Sequence, residues 1–192
     1  MISFRAYVMA VDRVEKRLRK VAGALDSAGV PYAVVGGNAV AAWVGRVDAS
    51  ATRATKDVDV LVRRADTERV TAALASIDFQ REDLRDLVLF LNPDEPSRKS
   101  GVRLVWAREL VRPSHVEPSP DVTDSERGPE GFTVLSLSAL VRMKLTSYRD
   151  IDRVHVADMA SCGLITDGVR RTLPPVLASR LLDIEHGMSD RE

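Results

Sequence analysis

Two short runs in this 192-residue chain hold residue types that together can do phosphate chemistry: Gly36-Gly37 followed by Asn38, and Asp57-Val58-Asp59. Side chains alternate between the faces of a strand, so Asp57 and Asp59 share one face while Val58 and Val60 enter the core. Two neighbouring carboxylates repel unless a cation lies between them, and oxygen-only donors suit Mg²⁺ or Mn²⁺. A glycine pair between a strand and a helix leaves backbone N–H groups free at the positive helix end. Phosphate binds there, and the missing Cβ lets it approach closely. A phosphate cradle beside a metal-binding aspartate pair is what nucleoside-triphosphate chemistry requires. Each motif alone has a structural reading, a solvated sheet face for the aspartates and a tight turn for the glycines. Their order and context together favour chemistry.

The surrounding pattern supplies elements to position these residues. Val11, Val14, Leu18, Val21 and Leu25 recur at helical spacing and predict a helix over 4–28, ended by Gly29 and Pro31. Residues 32–35 form a short apolar run that reads as a buried strand, and a helix is expected from Asn38 to Gly45. Residues 46–56 lack periodicity and predict an exposed loop, whereas 57–62 alternate and are β-branched, predicting a strand. Asp66 is placed to cap a helix to Ser76; residues 86–92 and 101–107 read as two strands joined as a hairpin. Helices are expected at 136–149, 151–161 and 174–186. The fold class is α+β (mixed α/β): a small mixed sheet of about four strands, flanking helices and a helical C-terminal region. Three segments follow: a core over 1–112, an acidic loop rich in Pro, Ser and Gly over 113–131, and the helical region 132–192.

The order of motifs, GG opening a helix and then R-x-T-x-D-x-D on a strand, resembles the nucleotidyltransferase superfamily. It is most similar to minimal nucleotidyltransferases and abortive-infection type IV toxin-like nucleotidyltransferases. The resemblance covers about residues 30–107 well and the helical tail loosely. It implies that Gly36, Gly37 and Asn38 hold the triphosphate of an NTP. It likewise implies that Asp57 and Asp59 hold Mg²⁺ (or Mn²⁺), and that Arg53 and Lys56 bring positive charge near the phosphates. In the tail, Lys144 is the counterpart of a catalytic lysine and Arg149 of a phosphate-binding arginine, with Asp152 and Asp158 as matching acids. The implied activity is metal-dependent transfer of a nucleoside monophosphate to a hydroxyl on RNA (tRNA for the toxin-like relatives), protein or a small molecule, with a toxin–antitoxin association. One departure weighs against it. The superfamily pattern has a third carboxylate on a later strand, where this chain offers Arg103 in GVRLVWA. Asp86 and Glu109 are the nearest substitutes. An arginine paired with the aspartates would instead make a catalytically impaired nucleotidyltransferase-fold binding or antitoxin-like regulatory protein.

Composition narrows the remaining classes. The formal net charge is zero and only 5% of residues are aromatic, which argues against a protein built to grip nucleic-acid backbone or to stack bases. No apolar run approaches a membrane span, and the N-terminal residues read as an amphipathic helix without a signal-peptide core. One cysteine, Cys162, cannot form an internal disulfide; it suits a reducing cytoplasm and reads as a small packed residue. Lys144 has two readings, a surface lysine on an apolar helix or a functional cation. His155 reads as structural, and Trp43 as core bordering the glycine turn.

Overall fold

The computed structural model describes residues 4–85 and 87–189. Helix α1 spans Phe4–Ser27, and strand β1 (Ala33–Val35) follows. Helix α2 (Gly36–Gly45) leaves β1 directly and leads through a loop to β2 (Val58–Val62). Then come α3 (Thr67–Ala75), β3 (Gln80–Leu84), β4 (Leu87–Leu91), β5 (Val102–Trp106), β6 (Ser125–Arg127) and β7 (Thr133–Leu135). The chain ends in α4 (Leu137–Ser147), α5 (Asp150–Ser161), α6 (Asp167–Arg171) and α7 (Pro175–Ser189).

The strands make one sheet in the order β3-β4-β5-β2-β1-β7-β6. β2 runs parallel to β5 and antiparallel to β1, and β1 runs parallel to β7. The aspartate strand β2 is therefore central, with Val58, Val60, Leu61 and Val62 fully buried along with all of β1. Each such Val or Leu contributes roughly 1.5–3 kcal/mol of burial, which holds the strand register rigidly.

The mixed α/β class is as expected, and among the described residues the sheet has seven strands rather than about four. The additional β3 and β6 are edge strands of mostly polar, exposed residues without apolar alternation. β7 is a three-residue run that pairs into the sheet beside β1, immediately before α4. It makes residues 125–135 part of the same sheet as the N-terminal core.

Helix α1 also departs from its even apolar stripe. Leu18, Val21, Ala22 and Leu25 are buried and Val14 is partly buried against the core, but Val11 is exposed. Gly29 (φ +60) ends the helix as expected, with the Val30 N–H reaching the Leu25 carbonyl. Helix α2 packs against β1, β2 and β7 and also against α4 and α5 of the tail. Trp43 of α2 donates its indole N–H to the Leu135 carbonyl at 2.9 Å, joining α2 to the end of β7.

Candidate active site

The two aspartates lie where β2 begins. Asp57 directly precedes the strand and Asp59 is its second residue, in register with Val35 at the end of β1. The β1–α2 junction therefore meets Asp59. Gly36 has φ +69, and a Cβ placed on it would overlap Asp59 Oδ2 and lie 3.1 Å from Asp59 Cγ. Glycine is required at this position by backbone conformation and by space. At Gly37 a Cβ would come within 3.0 Å of Thr55 Cβ, so the loop before β2 closes onto the same turn. No side chain caps the N-terminus of α2, which keeps the first N–H groups of the helix for a ligand.

Several contacts fix the aspartates. Asn38 donates its side-chain amide to the Asp57 carbonyl at 2.7 Å, so its side chain positions Asp57 while its N–H belongs to the helix start. Arg17 of α1 donates to the Lys56 carbonyl at 3.2 Å and to Glu95 at 2.8 Å. Arg17 is 4% exposed, and burial lowers its pKa against the pull of Glu95. This buttress beneath Asp57 was missed by the sequence reading. Its signal was an arginine on the apolar stripe of α1, three residues after Val14 and four before Val21.

Arg103 on β5 stands in register with Asp59, and its guanidinium pairs with Asp57 Oδ2 at 2.7 Å. A cation thus occupies the position where a third carboxylate would complete the set. Among the described residues, no three His, Cys, Asp or Glu side chains gather as a metal cluster. Glu109 does not substitute: it pairs with Arg64, whose guanidinium lies 4.4 Å from the Trp106 ring centroid. Asp86 lies outside the described residues.

The tail contributes charge. Lys144 is buried, 5% exposed, and donates to Asp152 Oδ1 at 2.9 Å, so it is no surface lysine. Asp152 also accepts from Arg149 Nε at 2.7 Å. Burial alone would push the Asp152 carboxyl up; Arg149 and Lys144 outweigh it and hold the group well below the usual carboxylate range. Both cations reach Asp59 electrostatically. Burial raises the Asp59 pKa, Arg103 opposes this, Asp57 adds to it, and Lys144 and Arg149 pull it back down. Arg180 of α7 donates to the Leu145 and Thr146 carbonyls at 2.7 and 3.0 Å, fixing the end of α4 just beyond Lys144.

The remaining candidates are placed as follows. Arg53 makes a two-point ion pair with Asp158 of α5, at 2.5 and 2.9 Å, tying the 46–56 loop to the tail. Lys56 is exposed beside the pair. His155 is buried, with Nδ1 unpartnered among the described residues; burial, reinforced by Lys144, lowers its pKa to about 4. A histidine depressed below its unfolded value of about 6.5 contributes stability that is full above pH 6.5 and lost as pH falls toward 4. His155→Gln is therefore expected to flatten the decline of the urea unfolding midpoint between pH 6.5 and 4, measured beside the wild type. A groove of about 800 Å³ is lined by Arg108, Asp121, Ser138 and Arg142 among others and does not include the aspartates.

This geometry can be set beside known proteins. The family model for aminoglycoside-2''-adenylyltransferase matches residues 17–90, a span holding Arg17, the glycine pair and both aspartates but ending before β5. Among curated proteins no sequence matches. The solution structure of antibiotic-resistance factor ANT(2'')-Ia is 18% identical, covers 94% of this chain and 99% of its own, and superimposes with a TM-score of 0.58. An antigenic nucleotidyltransferase-like protein from Paracoccidioides brasiliensis is 16% identical over 94% of this chain and 91% of its own, with a TM-score of 0.64. ANT(2'')-Ia in complex with adenylyl-2''-tobramycin is 16% identical over 92% of this chain and 97% of its own, with a TM-score of 0.50. In fold the chain is similar to these nucleotidyltransferase structures, and over residues 17–90 its sequence is similar to the aminoglycoside-2''-adenylyltransferase family.

Proposed function

We propose that this protein binds a nucleoside triphosphate with Mg²⁺ (or Mn²⁺) and transfers the nucleoside monophosphate to a hydroxyl of a small molecule. The observation that carries this reading is the packing of Gly36 against Asp59. It sets an uncapped helix N-terminus directly beside the aspartate pair. The acceptor class follows the solved relative that holds adenylyl-2''-tobramycin, a nucleotide carried on a small molecule. The neutral charge and scarce aromatics agree with it. A tRNA or protein acceptor and a toxin–antitoxin role draw no support from these relatives.

The donor set fits one divalent ion, with Asp57 and Asp59 as oxygen ligands and Arg103 on the third side. Such an ion, when bound, polarises the phosphoryl oxygens and offsets charge on the triphosphate. The chain's own residues do the rest. The N–H groups of Gly36, Gly37 and Asn38 hold phosphate oxygens, and Arg17 and Asn38 keep Asp57 in place through the backbone. Arg149, half-exposed beyond its pair with Asp152, faces the phosphates with Lys144 behind it. The acceptor oxygen bonds to the α-phosphorus, the α–β bridging P–O bond breaks and pyrophosphate leaves. The acceptor proton passes to solvent, since the described residues place no third carboxylate beside the pair.

Titrating each of the four NTPs with Mg²⁺ against wild type and the Asp57→Asn/Asp59→Asn variant tests this. Metal-dependent binding of one NTP, weakened at least about 10-fold in the variant, is the expected result. A folded wild type that binds none of the four defeats the reading. The Arg103–Asp57 ion pair favours a second reading, a nucleotide-binding protein impaired in catalysis. Pyrophosphate release with an aminoglycoside panel separates the two: binding without release supports the second.

A further inference from the structure

The geometry points to Arg103 as a built-in counter-ion that stands in for a second divalent ion, so that the aspartate pair takes one ion per chain and takes it together with nucleotide. This deepens the reading above and rests on it for the nucleotide. Arg103 lies opposite Asp59 on the neighbouring strand and pairs with Asp57 at 2.7 Å, so its guanidinium contacts one carboxylate directly and acts on the other through space. Its strand is held from the other side by β4, with Leu89 in register with Arg103. The side chain is 35% exposed, so the guanidinium sits at the mouth of the site within reach of an arriving ligand.

Charge decides the stoichiometry. Asp57 and Asp59 bring two negative charges and Arg103 returns one, while Lys144 and Arg149, both paired with the one carboxylate of Asp152, leave a further positive charge acting on Asp59. A bare divalent ion must compete with the guanidinium for Asp57, over a short ion pair that is partly screened from water. A triphosphate changes this balance, because its oxygens offer Arg103 a bidentate anion in exchange for the carboxylate. Arg103 would then pair with phosphate instead of Asp57, leaving Asp57 and Asp59 free to hold an ion that accompanies the nucleotide.

The test is metal stoichiometry rather than turnover. Mn²⁺ binding is followed by electron paramagnetic resonance for wild type, Arg103→Met and Arg103→Asp. Each is titrated with Mn²⁺ alone and with the α,β-methylene analogues of the four nucleoside triphosphates. Methionine keeps an unbranched apolar stem in the strand, and circular dichroism confirms folding of each variant. With Mn²⁺ alone, Arg103→Met is expected to bind at least about tenfold more tightly than wild type. With the preferred analogue, wild type saturates at one Mn²⁺ per chain and Arg103→Asp at two. Two ions on the wild type, or an unchanged Mn²⁺ affinity in Arg103→Met, overturns the assignment. Should no analogue bind any variant, the nucleotide reading fails, and the Mn²⁺-alone comparison still decides the role of Arg103.

Discussion

Asp152→Ala is expected to lower the unfolding free energy by about 3–5 kcal/mol, because it strands the Lys144 ammonium without a partner inside the protein. The side chains of Lys144 and Asp152 are 7% and 1% exposed, so water cannot replace the lost carboxylate. For a chain of this length the drop corresponds to roughly 10 °C or more in the melting temperature. A Lys144→Met/Asp152→Leu double variant, which removes both charges and restores volume, should recover most of that loss, since a buried pair is often replaceable by apolar side chains. Urea unfolding of the three proteins checks the prediction; equal stability of the single and double variants would show that the cost is packing and not charge. The pH dependence has a fixed sign. The folded-state pKa of Asp152 is depressed, so its contribution is present above the unfolded value of about 3.9 and lost as pH falls below it. Arg149 should show the same coupling more weakly, being 53% exposed.

Gly36→Ala should leave the fold in place and cripple the proposed nucleotidyl transfer. At φ +69 an alanine costs about 1–2 kcal/mol of backbone strain. The added methyl overlaps Asp59 Oδ2, and the strand beneath is too well packed to retreat, with Val58 and Val60 at 0% and 1% exposure. Asp59 is the group that must give way. A carboxylate displaced by about 1 Å from its working position costs on the order of 100-fold. The rate of nucleotidyl transfer in the presence of Mg²⁺ is therefore expected to fall about 100-fold, with the melting temperature lower by only a few degrees. Gly37→Ala is the control. Its backbone is unstrained and its Cβ would press on the Thr55 side chain of a surface loop, so its effect should be much smaller. Equal effects of the two substitutions would place the requirement in the loop rather than at Asp59.

Much of this site was legible in the chain because its signals are local. A glycine pair after an apolar run and two aspartates alternating with valines specify a turn and a strand face from sequence spacing alone. Lys144 and Arg149 stood out by family resemblance. The sequence could not separate a surface lysine from one buried against Asp152, because that depends on how α4 and α5 pack. The edge strands β3 and β6 were missed for a related reason. Their residues are polar and exposed, and only pairing with β4 and β7 makes them strands. Arg17 belongs to the same class: its position on an apolar stripe was visible, but its grip on the Lys56 carbonyl joins residues 39 apart.

By itself, then, the sequence determined the mixed α/β class, the β1–glycine–α2 turn and the shared face of Asp57 and Asp59, since backbone periodicity and glycine's freedom act over a few residues. The tertiary structure decided what stands against that face. Register between β2 and β5 put Arg103, and no carboxylate, opposite Asp59. The folding of the tail onto α2 brought the Lys144–Asp152–Arg149 cluster within electrostatic reach of it. Strand register and helix docking are set by the whole core, and Coulomb forces act through space rather than along the chain.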